Sequence, residues 1–175
     1  MDTTDIRMGP EPRIEVHKYY GGVVAAAVLL SLVLQAFLPV YFRRANYLDL
    51  PLLVTLYFAL SKRSPSSGLL LGMVIGLLQD SLSRTPIGLY GIAKTMVGFA
   101  AASIGARLDV EHPVARFLLT VVFFLFHHAV FALTRQLLLA QSEAYFSVSV
   151  LMGAGLNAVA AMAVFPLLDR FRRAS

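Results

Sequence analysis

GLLLGMVIGLLQDSLSRTPIGLYGIAKTMVGFAAASIG, residues 68–105, holds two apolar runs joined by a short polar turn, and each run carries glycine at regular intervals. Gly68, Gly72 and Gly76 recur every four residues, which on a helix of about 3.6 residues per turn sets them along one smooth stripe. Gly91, Gly98 and Gly105 repeat every seven residues and keep a roughly constant face of the second run. Small-residue stripes let backbones approach closely, the way helices associate in lipid. Gln79 and Asp80 close the first run, and Lys94 stands near the middle of the second. Charge near hydrocarbon is expensive and is kept inside a bundle or at its mouth, so an Asp80–Lys94 pair across the hairpin would neutralise both. The stretch reads as a helical hairpin in a membrane.

The rest of the chain agrees with that solvent. Of its 175 residues 58% are apolar and 14% charged, against about 45–50% and about 25% in ordinary soluble domains. A chain this short buries too little of its surface to hide such an excess in water. The fold class is therefore all-α, a polytopic membrane protein with a compact bundle of about six transmembrane helices. The formal net charge of +5 sits between apolar runs and at the ends, which fits topology and lipid headgroups and not a nucleic-acid face. Cysteine is absent, so no disulfide or thiolate site exists.

Residues 1–19 form a polar tail and 20–169 the membrane domain, with spans at about 20–42, 47–60, 66–82, 86–107, 114–139 and 146–168, before a basic tail at 170–175. The first span lacks a small-residue cleavage pattern and reads as retained. Tyr19, Tyr20 and Tyr41 flank it as interface anchors. The second carries Asp49 and Pro51 at its start, and its 14 residues give only about 21 Å of helix. It reads as partly re-entrant or as crossing where the membrane thins, and the second and third spans are expected to be short or interrupted. Spans three and four can also be read as one interrupted hairpin, which lowers the count to five. Pro65 suits a helix start, and Pro166 lies near the exit of the sixth span, where a break costs least.

With the N-terminus inside, the inner side holds Arg7, Arg13, Lys18, Lys62, Arg63, Arg107, Arg116, Arg170, Arg172 and Arg173, and the outer side only Arg43, Arg44, Arg84 and Arg135. Cytoplasmic segments carry the Lys and Arg excess, so both termini are expected in the cytoplasm. Arg43 and Arg44 are the discordant pair.

No catalytic constellation emerges. His127 and His128 are adjacent and point about 100° apart on a helix, a poor chelate, so no metal is expected and they read as packed or hydrogen-bonded side chains. Ser103 lacks the context of a nucleophile and reads as a packing residue. Paired intramembrane aspartates, a phosphate loop and a dinucleotide fingerprint are all missing from the sequence. Asn157, and with less weight Gln35, would seek interhelical hydrogen bonds.

A glycine-rich helix ending in Asp, a short turn, GLYG and a second glycine-bearing helix, at Gly76, Leu77, Asp80, Gly88, Leu89, Gly91 and Gly98, resembles the bacterial rod shape-determining protein MreD family. Outside this segment the resemblance rests on size and hydropathy. It implies a non-enzymatic inner-membrane component of the elongation machinery, serving cell shape and lateral peptidoglycan synthesis, with no cofactor. The implied partners are MreC and, directly or through it, RodA, its class B transpeptidase and MreB, together with membrane lipids. It also implies a six-helix arrangement similar to the substrate-binding components of energy-coupling-factor (ECF) transporters. The expected partner surface is the hairpin around Asp80, Arg84, Gly88, Tyr90 and Lys94, with Gly68, Gly72, Gly76, Gly91, Gly98 and Asn157 serving partner contact or helix packing. The alternative reading is a small-solute carrier or transporter substrate-binding subunit, with Asn46, Asp49, Asp80 and Asn157 available to line a cavity. A membrane enzyme is a third, for which no nucleophile and base converge.

Overall fold

The computed structural model describes residues 19–42, 46–83, 85–108, 110, 112–141 and 147–172. Among them lie six helices and no strand: α1 (Gly21–Tyr41), α2 (Leu50–Lys62), α3 (Pro65–Ser83), α4 (Leu89–Gly105), α5 (Pro113–Leu139) and α6 (Val148–Asp169). α1, α3, α5 and α6 are long and apolar enough to cross a membrane. The chain is a polytopic, all-α membrane protein.

Local chemistry sets the helix starts. Pro65 opens α3 and Pro113 opens α5, where the missing N–H costs nothing. The Asp49 carboxylate caps α2 by accepting from the Leu52 N–H at 3.0 Å, and Ser147 caps α6 by accepting from Val150. α2 stops at Arg63, whose φ of 54° is left-handed, and α6 continues through Pro166 to Asp169 without a break.

α2 forms the centre of the bundle. It contacts all five other helices, and every residue from Pro51 to Ser61 is buried. It is one uninterrupted helix of 13 residues, about 20 Å long, walled by protein. α2 is short, and a helix shielded by neighbours has no need to match the hydrocarbon thickness. The expectation that the third span is short or interrupted is corrected: α3 runs 19 residues unbroken, and the short helices are α2 and α4. α3 and α4 are two separate helices.

Around this centre the outward faces are apolar. Leu30, Val33 and Phe37 on α1, Leu118 and Val122 on α5, and Leu151 and Val159 on α6 are all exposed, as side chains that meet hydrocarbon would be.

The glycine stripe of α3 lies against the α4 backbone. A Cβ on Gly68 would overlap the Gly98 carbonyl, on Gly72 that of Lys94, and on Gly76 that of Tyr90. The pairing runs antiparallel and brings the end of α3 beside the start of α4. Gly91 meets Leu77 of α3, whereas Gly105 turns to α2 and meets Leu60. The seven-residue repeat on α4 thus serves two neighbours.

Polar networks close both ends of the bundle. At one end the Tyr57 hydroxyl of α2 donates to Asp169 of α6 at 2.8 Å, and the Tyr19 hydroxyl lies 2.9 Å from that of Tyr57. Arg116 of α5 and Arg172 each reach Asp169 at 2.7 Å. The other end holds Asp49, Asp80 and the start of α4.

Candidate functional site

Asp80 is the organising residue of the α3–α4 turn. Its Oδ1 accepts from Thr85 Oγ1 at 3.1 Å and the Tyr90 N–H at 3.0 Å, and its Oδ2 from the N–H groups of Gly88 at 2.9 Å and Gly91 at 3.0 Å. The first N–H groups of a helix have no intrahelical partner, and the positive end of the dipole favours an anion there. α4 has no side-chain cap of its own, so a carboxylate from α3 does that work. Gly88 has φ +110°, a conformation that a residue with a Cβ rarely adopts. The Asp-turn-GLYG pattern is therefore a helix cap delivered from the preceding helix.

Lys94 is fully buried, and its ammonium reaches Asp49 Oδ2 at 2.7 Å. His127 of α5 lies beside the pair, with Nε2 3.4 Å from Lys94 Nζ and 4.0 Å from Asp49 Oδ2. The Tyr90 ring stands 5.0 Å from the ammonium. The expected Asp80–Lys94 pair is thus corrected. The lone pairs of Asp80 are engaged by the turn, and α2, running parallel to α4, presents Asp49 to Lys94.

Two amides hold the α1–α2 connector in place. Gln35 of α1 donates to the Leu48 carbonyl and accepts from the Leu50 N–H, both at 2.9 Å. Asn157 of α6, fully buried, accepts from the Asp49 N–H at 2.9 Å and donates to the Tyr47 carbonyl at 2.7 Å and the Gly153 carbonyl at 2.8 Å. Both amides therefore join helices as the sequence suggested, by bonding to backbone.

These contacts frame a cavity of about 380 Å³ at the Asp49 end. Asn46 and Asp49 line it, together with Gln79, Tyr90, His127 and Phe131. Asp80 and Asn157, also considered as lining residues, do not line it: Asp80 is engaged by the α3–α4 turn and Asn157 by the α1–α2 connector. Asp80 is 1% exposed and Lys94 is fully buried, so neither side chain is an outward contact surface. At the turn of the hairpin Ser81, Leu82, Ser83, Pro86 and Ile87 are exposed, and Arg84 lies outside the described residues. His128 also lines the cavity, while His127 packs within it. Among the described residues no three His, Cys, Asp or Glu side chains are grouped to hold a metal.

Sequence reasoning missed Asp49 as the partner of Lys94, because it sits 45 residues away at the start of another helix. It also missed Gln79 as a cavity residue. The available signal was helical phase: Gln79 lies three residues after Gly76, next to the face that packs on α4.

Neither the curated proteins nor the solved structures include a match to this chain. The family model described as rod shape-determining protein MreD matches residues 17–174, and with nearly the whole length covered the chain belongs to that family.

Proposed function

We propose that the chain is a non-enzymatic inner-membrane component of the bacterial elongation machinery, which binds and stabilises MreC and, through it, the synthases RodA and its class B transpeptidase, in contact with MreB. The observation that carries this reading is the family match over residues 17–174. The architecture supports it: Asp80, the Asp49–Lys94 pair and the amides of Gln35 and Asn157 bond to other parts of the same chain, which leaves the exposed surfaces for partners and lipid. Both termini lie in the cytoplasm in this reading, so the Asp49 end and the hairpin tip at Pro86 and Ile87 face outward. Ile87 is 77% exposed, an apolar tip for the membrane-proximal part of a scaffold.

The test is affinity purification of the tagged chain from native membranes in mild detergent, with protein and small-molecule mass spectrometry on one eluate. MreC and the elongation synthases are expected in the wild-type eluate. Ile87→Glu, a surface change, should reduce MreC recovery at least about fivefold while the chain accumulates normally. Wild-type eluates without MreC would overturn the proposal.

The cavity favours a second reading, a small-solute carrier or transporter substrate-binding subunit built on the six-helix plan of ECF substrate-binding components. A stoichiometric metabolite or an energising module in the same eluate, without MreC, would favour that reading.

A further inference from the structure

At the end of the bundle opposite the large cavity, a small recess is lined by Ser61, Arg63, Arg116 and Arg172 together with Tyr57 and Phe165. Two of its arginines are fixed in place. Arg116 donates to the Val110 carbonyl at 3.2 Å and reaches one oxygen of Asp169 at 2.7 Å, over the Phe165 ring. Arg172 reaches the other oxygen of the same carboxylate, to which Tyr57 also donates. One carboxylate therefore answers two guanidiniums, and Arg63 adds a third. Among the described residues that line or border the recess, three positive charges face one negative.

Arg63 is the uncommitted cation. Its side chain makes no hydrogen bond or ion pair with a described residue; its Nε is shut in, and its outer nitrogens remain open to solvent. Ser61 adds a neutral donor. It is only 7% exposed, and its hydroxyl has no partner among the described residues yet stays open to a water-sized group. The hydroxyl lacks an acceptor and the guanidinium a counter-charge, and an anion supplies both.

The size of the recess decides how an anion enters. About 10 Å³ is room for one water-sized atom, so a single oxygen seats inside and the rest of the group lies over the mouth. A tetrahedral phosphate keeps further oxygens there for the planar fork of an arginine, and phosphate is what a bilayer presents at the ends of its spanning helices. Leu167 and Phe171, in the segment that carries Asp169 and Arg172, are 54% and 51% exposed and offer apolar surface for acyl chains at the same end.

We propose that this recess is a phosphate site, in which one oxygen accepts from Ser61 Oγ and the group lies against the guanidiniums of Arg63, Arg116 and Arg172. An anionic lipid headgroup and free phosphate share this chemistry, and the apolar surroundings favour the lipid. The site needs no particular orientation of the chain, because lipid phosphates line both faces of a bilayer.

The probes are phosphatidylglycerol, phosphatidylcholine and diacylglycerol of one chain length. Each is titrated into the purified full-length chain in uncharged detergent, with native mass spectrometry counting the bound molecules. Inorganic phosphate is titrated separately by equilibrium dialysis. The first phosphatidylglycerol is expected to bind about tenfold tighter than phosphatidylcholine, with diacylglycerol weaker than both. Arg63→Gln should bring the first ratio to about 1. Ser61→Ala removes no hydrogen bond of the folded chain and should weaken phosphatidylglycerol about fivefold. Arg107→Gln removes a charge from an exposed arginine at the same end but outside the recess, and should leave the ratio unchanged. Saturable binding of inorganic phosphate that depends on Arg63 and Ser61, without a lipid preference, supports the site and makes free phosphate its source. No saturable preference for either probe, as for a recess that holds only water, overturns the proposal. So does a preference that survives Arg63→Gln, an affinity untouched by Ser61→Ala, or an equal loss in Arg107→Gln, as diffuse attraction to a basic surface would give. Where Arg63→Gln does not fold, the comparison of Ser61→Ala with Arg107→Gln decides.

Discussion

Asp80 answers four donors from one turn, whereas Lys94 depends chiefly on a single carboxylate from another helix. The two charges therefore fail differently when changed. Asp80→Asn turns an acceptor-only group into one whose NH₂ faces donors, and should lower stability by about 2–4 kcal/mol through lost charge-assisted bonds. Lys94→Met leaves the Asp49 carboxylate buried without its cation and should cost about 3–5 kcal/mol. Adding Asp49→Asn to Lys94→Met should restore part of that loss, because both members of the pair are then neutral. Unfolding titrations of the two single variants and the double measure the coupling. A larger coupling of Lys94 to Asp80 than to Asp49 would contradict the pairing.

Elements in this bundle are sorted by how close a neighbour comes. Gly72→Ala places a Cβ on the Lys94 carbonyl and must push α3 from α4, whereas the same change at Gly22 or Gly155 meets nothing within 4 Å. The first should destabilise by more than about 2 kcal/mol, and the others should be neutral or gain up to about 1 kcal/mol of helix propensity. Thermal unfolding of the three variants side by side checks the contrast. The stripe at Gly68, Gly72 and Gly76 was legible in the sequence because four-residue spacing fixes a helical face whatever lies opposite. The central position of α2 was not, because an apolar residue reads the same whether lipid or protein surrounds it. Its short length suggested a re-entrant segment or a thinned membrane, and nothing in that length pointed to enclosure by the other helices. The partner of Lys94 was hidden for a related reason: the nearest carboxylate along the hairpin is not the nearest in space, since α4 also packs parallel to α2. The need of Asn157 for an interhelical partner was legible, but no spacing rule pointed to a loop 110 residues earlier.

On the scale of the whole molecule, the proposed orientation places every group around the cavity on the outer side and the Tyr57–Asp169 network on the inner side. The chain contains no cysteine, so single cysteines report topology without background. Val148→Cys, at the exposed start of α6, should react with a membrane-impermeant maleimide in intact spheroplasts, and Ser66→Cys, at the start of α3, only after the membrane is opened. The reverse pattern would invert the molecule and move the cavity to the cytoplasmic side. The amide of Asn157 binds the backbone of residues 47 and 49, more than a hundred positions earlier in the chain. During synthesis α2 therefore leaves the ribosome long before the helix that completes its mooring exists. Its buried polar start must wait, sheltered by the insertion machinery or by α1, until α6 arrives. Completion of the fold is thereby tied to the last segment made, and a chain truncated before α6 would display its unclosed core to the quality-control proteases of the membrane.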